Sequence, residues 1–106
     1  MATEIVRHTL VIATSMTLSI EDLDNGFIIV NTTSGPITVT LPTAVESDNG
    51  VNGKIKRWGP NTLTVQGGGG QTIDGASTAV FNVDKEVLEF AYIYKTSPAF
   101  NSWVLH

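Results

Sequence analysis

The 106-residue chain contains no cysteine. That single absence removes disulfide frameworks, thiolate metal sites and cysteine nucleophiles. Charge is also scarce: 15% of residues are Asp, Glu, Lys or Arg, against about 25% in an average soluble domain. Six Lys and Arg stand against ten Asp and Glu, for a net charge of −4, the wrong sign for general nucleic-acid binding. Hydrophobic runs are short, and none approaches the ~18 residues of a membrane-spanning helix. The first residues lack the cationic-then-apolar order of a secretory leader, so none is expected. Histidine is limited to His8 and His106. Two isolated imidazoles without a thiolate make a poor zinc site, and His8 is the one internal imidazole that could activate a hydroxyl nucleophile. These absences predict a protein that is not an enzyme, has no cofactor or metal, and has neither nucleic-acid nor membrane partners.

What the chain does have is β vocabulary. Hydrophobic residues make up 42% of it, set in short β-branched runs broken by Gly, Pro, Asn and Asp. The runs are Ile5 to Ile12, Gly26 to Asn31, Ile37 to Leu41, Lys54 to Trp58, Thr62 to Gln66, Thr78 to Val83, Val87 to Lys95 and Asn101 to Leu105. In Ile37-Thr38-Val39-Thr40-Leu41 the alternation is strict, so one face is buried and the other can be wet. Leu63 and Val65 repeat it. A single short helical turn is expected near Ser19–Asp24, with Ser19 as cap and Asp22 three residues on. The pattern predicts an all-β fold with negligible helix, an antiparallel β-sandwich or jelly-roll of about eight strands. Residues 1–14 read as an N-terminal arm or edge strand and residues 15–106 as the sandwich domain.

Motifs that promise chemistry dissolve on inspection. Gly67 to Gly70 are followed by Gln71-Thr72, without the lysine that a phosphate loop requires. Asp74-Gly75 reads as a tight turn. Most acids fall in turn segments, where carboxylates are solvated. Lys54, Lys56 and Arg57 beside Trp58 form the one basic-aromatic cluster, and they read as charges guarding an edge strand.

The strand Val87 to Lys95 is apolar on both faces. Phe90, Tyr92 and Tyr94 share one face with Leu88, while Val87, Ala91 and Ile93 share the other. A small sandwich uses one inward face per strand, so the second face needs another cover, and sparse charge points to a subunit contact. The reading assigns that contact to Phe90, Tyr92, Tyr94 and Trp103.

Taken in order, these segments resemble a known group. Phe27-Ile-Ile-Val-Asn-Thr-Thr-Ser-Gly-Pro-Ile-Thr-Val-Thr-Leu-Pro42 is followed by the strand Gly53-Lys54-Ile55-Lys56. Then come Thr62 to Val65, the run Gly69 to Gly75 and the closing strand Trp103-Val104-Leu105. This order, from about Asp24 to Leu105, is similar to small β-domains of tailed-bacteriophage virion proteins. The resemblance implies a homotrimeric β-sandwich located on the virion after synthesis in the host cytoplasm. It further implies a capsid decoration or cement protein whose partners are its own copies and the major capsid protein. The alternative it implies is a head- or tail-fibre adsorption module that binds a host surface glycan through an exposed aromatic such as Trp58 or Phe100. The N-terminal residues Ile5, Val6, Arg7 and Leu10 are then expected to contact the capsid or a neighbouring subunit, since terminal strands often add to a partner's sheet.

Overall fold

The structure is a computed structural model that describes residues 8–105. Its chain moves back and forth between two sheets. β1 (His8–Ile12), β3 (Gly26–Asn31) and β5 (Asn52–Trp58) lie in one sheet, while β2 (Met16–Thr17), β4 (Ile37–Thr40) and β6 (Leu63–Gln66) lie in the other. β7 (Thr78–Phe81) then completes the second sheet, and the hairpin of β8 (Val87–Thr96) and β9 (Ala99–Leu105) completes the first. The strand orders are β1-β3-β5-β8-β9 and β2-β4-β6-β7. Among the described residues helix is confined to α1 (Ile20–Leu23) and short 3-10 turns at Glu46–Asp48 and Gly68–Gly70.

The protein is mostly β, as expected, but the antiparallel arrangement is not what forms. The ladders β1–β3, β3–β5, β2–β4 and β4–β6 are parallel, while β5–β8, β8–β9 and β6–β7 are antiparallel. Each Gly- or Pro-marked turn between β3 and β6 carries the chain across to the other sheet instead of folding it back as a hairpin. Strands two apart in sequence therefore run the same way, and the chain winds as a coil with two strands per turn. The repeated Thr-alternating pattern is satisfied by this winding: Ile37 lies beside Leu63, Thr38 beside Thr64 and Val39 beside Val65. Like residues stack on like, apolar inside and hydroxyl outside.

One buried cluster draws on both sheets, including Ile28, Val30 and Ile55 from the first and Val39, Leu63, Val65 and Phe81 from the second. Each such side chain contributes roughly 1.5–3 kcal/mol by leaving water. α1 seals one end. Ser19 Oγ accepts the Asp22 N–H at 3.1 Å, and the Asp22 carboxylate accepts the Ser19 N–H at 3.1 Å, a reciprocal cap of the expected kind. Leu23 is fully buried. The end of α1 sits so close to the sheet that a Cβ on Gly26 would lie 2.4 Å from the Asp22 carbonyl oxygen, and one on Gly53 2.0 Å from that of Leu23. Only glycine permits that approach.

β5 lies between β3 and β8, so the edge-strand reading of Lys54, Lys56 and Arg57 is corrected. The alternation along β5 shows why the charges survive in a central strand. Gly53, Ile55 and Arg57 point inward, while Lys54, Lys56 and Trp58 point outward. Among the described residues β1 is an edge strand of its own chain's sheet, paired to β3 from His8 to Ile12. Opposite it, β9 is bordered by the segment before Asp74. The Trp103 N–H donates to the Thr72 carbonyl at 2.9 Å, and the Asp74 N–H to the Trp103 carbonyl at 2.9 Å. Asp74 and Gly75 both have positive φ, 51° and 85°, and Ile73 bridges Ala76: the Asp-Gly pair makes a tight turn.

Candidate interaction surface

Two apolar faces on β8 leave open which one is internal, and the coil decides it. Phe90, Tyr92 and Trp103 are fully buried within the single chain, and Tyr94 packs partly buried against the same cluster. Tyr92 and Trp103 rings lie 5.4 Å apart, and Phe81 and Phe90 rings 6.4 Å apart. The Tyr92 hydroxyl donates to Asn101 Oδ1 at 2.5 Å. Burial raises the phenol above its ordinary pKa, with Tyr94 and Asp48 adding in the same direction. Phe90, Tyr92 and Trp103 are therefore core side chains, and the face free to meet a partner is the opposite one. Leu10 likewise packs against the core from β1. Ile5, Val6 and Arg7 lie outside the described residues.

The outward face of the five-stranded sheet sets large apolar residues among charged ones. Its rows run Thr9–Phe27–Lys54–Glu89 and Val11–Ile29–Lys56–Val87 across β1, β3, β5 and β8, with Asn31 beside Trp58 at the end. Val11 is 62% exposed, Trp58 45% and Val87 41%. Sequence reasoning missed Phe27 and Ile29, although β3 carries the same signal as β8, with apolar residues at both parities. The described residues of this face line depressions. One of about 510 Å³ is lined by Asn25, Phe27, Asn52, Lys54, Val87 and Glu89, among others. A smaller one of about 220 Å³ is lined by Val11, Ile29, Asn31 and Trp58. Farther along the same sheet, Ile93 and Val104 are half-buried on the outward side of the β8–β9 hairpin. Phe100 stands 45% exposed near its tip, beyond the last β5 pairing at Ala91.

The basic cluster separates into two roles. The Arg57 guanidinium is buried and donates to three carbonyls, from Nε to Gly59 at 3.0 Å, from Nη1 to Phe81 at 3.2 Å and from Nη2 to Pro60 at 2.8 Å. It ties β5 to the end of β7 and is structural. Trp58, by contrast, faces out with the Lys85 ammonium 4.3 Å and the Lys56 ammonium 5.8 Å from its ring centroid, both within cation–π range. Lys85 also meets Asp84 at 3.2 Å. The Gly59 N–H, donated to the Asp84 carboxylate at 2.8 Å, and then Lys85 hold that carboxyl below its ordinary range.

Among the described residues no group of three or more His, Cys, Asp or Glu is placed to hold a metal ion, and no helix is long and apolar enough to cross a membrane. The glycine run forms a short 3-10 turn against the β4 exit. There a Cβ on Gly68 would lie 2.3 Å from the Leu41 carbonyl oxygen, so the run serves close backbone packing. The arrangement offers surfaces for contact. No protein-family model matches the sequence, and no curated protein matches it.

Proposed function

We propose that the chain is a structural protein of a tailed-bacteriophage virion, a capsid decoration or cement protein acting as a homotrimer. Its two sheets are read as the layers of a sandwich around one core, wound mainly as a parallel coil. The observation that carries the oligomer is the outward face of the β8–β9 hairpin, where Ile93 and Val104 lie half-buried and Phe100 is exposed. Removing one large aromatic from water is worth roughly 1.5–3 kcal/mol, and a trimer repeats the contact in every subunit. The sum offsets the several kcal/mol of rigid-body freedom lost on association. Sparse charge agrees with a surface that is partly covered in use, and the resemblance of residues from about Asp24 to Leu105 supports the virion assignment.

The experiment joins mass and location. Analytical ultracentrifugation should give three chains per particle for the native protein and one for the double variant Ile93→Asp, Phe100→Asp, because an unpaired carboxylate in a dry contact is costly. A native mass of one chain at micromolar concentration rules out the trimer. Immunogold electron microscopy should label the phage head. Label on fibres would favour the second reading, an adsorption module, which the exposed indole of Trp58 supports. Absence of label from virions would end both.

A further inference from the structure

The geometry points to a binding site for an acidic sugar at the Trp58 end of the five-stranded sheet, built from Trp58, Asn31, Lys56 and Lys85. It does not depend on where in a virion the protein sits, or on whether it sits in one. The chain carries a net charge of −4, yet two of its ammonium groups converge on one half-exposed indole, at 4.3 and 5.8 Å. Beside them is a depression of about 220 Å³ walled by Val11, Ile29, Asn31 and Trp58.

Apart from the Asp84 carboxylate, which is engaged by Gly59 and Lys85, the polar groups left available around this depression are donors. Asn31 Oδ1 is occupied, accepting the Thr33 N–H at 3.0 Å and the Thr33 hydroxyl at 2.5 Å. That fixes which end of the amide remains available, and Asn31 Nδ2 has no hydrogen-bond partner among the described residues. Among the described residues the Lys56 ammonium meets the indole, while Lys85 shares its charge with Asp84. A ligand that matches must present acceptors and negative charge, together with a flat apolar surface for the indole and the Val11–Ile29 wall. A uronic-acid residue of a polysaccharide has that combination: a C–H face to stack, ring hydroxyls to accept from Asn31 and a carboxylate to meet Lys56. A neutral sugar offers the ammoniums no opposite charge, and an acidic peptide uses the charges while leaving the indole wall unmatched.

The test uses alginate oligosaccharides as the polyuronate, with maltodextrin and poly-glutamate as controls. Trp103 is fully buried, so a change in tryptophan emission on titration reports Trp58. Alginate should alter that emission and bind saturably, and raising salt to about 1 M, where screening acts within ~3 Å, should weaken it. The double variant Lys56→Glu, Lys85→Glu should bind at least roughly tenfold more weakly. Trp58→Ala should lose roughly tenfold as well. Both variants should remain folded, since none of these side chains is in the core, the double variant losing only the small contribution of the exposed Lys85–Asp84 pair. The proposal fails if alginate does not bind, or if either variant binds it as tightly as the native chain. It also fails if maltodextrin binds equally well, which would make the charges irrelevant, or if poly-glutamate does, which would reduce the site to a charge patch.

Discussion

The two sheets share one core and differ on the outside. The four-stranded sheet shows water rows of Thr38, Thr64 and Val80 and of Thr40, Gln66 and Thr78, with Gln66 Nε2 donating to Thr40 Oγ1 at 2.8 Å. The five-stranded sheet shows Phe27, Val11, Ile29, Val87 and Trp58, interrupted by lysines and Glu89. Both exteriors keep β-branched or aromatic residues, so strand formation alone does not explain the contrast. Threonine meets β preference while remaining soluble. The apolar exterior meets it at the expense of solubility, which is tolerable when something covers that face. Contact is therefore expected on the five-stranded side, with the threonine side left to solvent.

The largest test compares two phenylalanines of the same sheet, on β3 and β8, either side of β5. Phe90→Ala empties a fully buried position and should cost about 3–5 kcal/mol, a large part of a small domain's stability. Phe27→Ala, on the outward face, should cost no more than about 1 kcal/mol. Urea denaturation of the two variants measures both. Equal losses would mean that the outward face is as integral to the monomer as the core, and the comparison between exteriors would lose its basis.

A smaller effect separates adjacent residues of one strand. Arg57→Met removes a buried guanidinium that serves three carbonyls, and should destabilise by about 1.5–3 kcal/mol. Lys56→Met, one residue earlier and outward, should stay within about 0.5 kcal/mol. Thermal unfolding of both variants reads the difference directly. If Lys56→Met proved the more damaging, the inward and outward assignments along β5 would be reversed.

These pairs also show how far the residues alone could lead. Strict alternation at Ile37 to Leu41, the Ser19–Asp22 cap and the Asp74–Gly75 turn rest on local chemistry, and they were legible. Strand direction was not, because Gly, Pro and Asn mark a turn without saying whether it folds back or crosses to the other sheet. The signal lay in the kinship of residues 37–40 and 63–66, which in-register parallel stacking matches row by row. The choice of face on β8 was also hidden, since Phe90 and Tyr92 are no more apolar as a set than Ala91 and Ile93. The partners decide it: Gly53 and Leu105 flank Phe90, and Trp103 lies beside Tyr92. Arg57 could have been separated from the lysines by parity, for it shares a face with Ile55. Chemistry that assembles from distant turns, such as Lys85 beside Trp58, leaves no trace in spacing.

The smallest expected effect lies at Asp84, in the crossing from β7 to β8 that joins the two exteriors. Its carboxylate accepts the Gly59 N–H at 2.8 Å and meets Lys85. The Gly59 hydrogen bond first, and then Lys85, hold the folded-state pKa below the ordinary 3.8. A carboxyl depressed by folding adds stability that is present above its unfolded pKa and is lost as pH falls through the folded one. The contribution is therefore complete above 3.8 and fades only below it. Asp84→Asn retains an acceptor for Gly59 but cannot titrate. Between about pH 5 and about pH 2 the native chain should lose slightly more thermal stability than the variant, and the two should run parallel at higher pH. Because Lys85 leans on Trp58, the emission of that indole should change over the same acid range in the native chain and stay flatter in the variant. Coincident acid profiles for the two proteins would show that Asp84 does not hold this corner, leaving Lys85 to be placed by the indole alone.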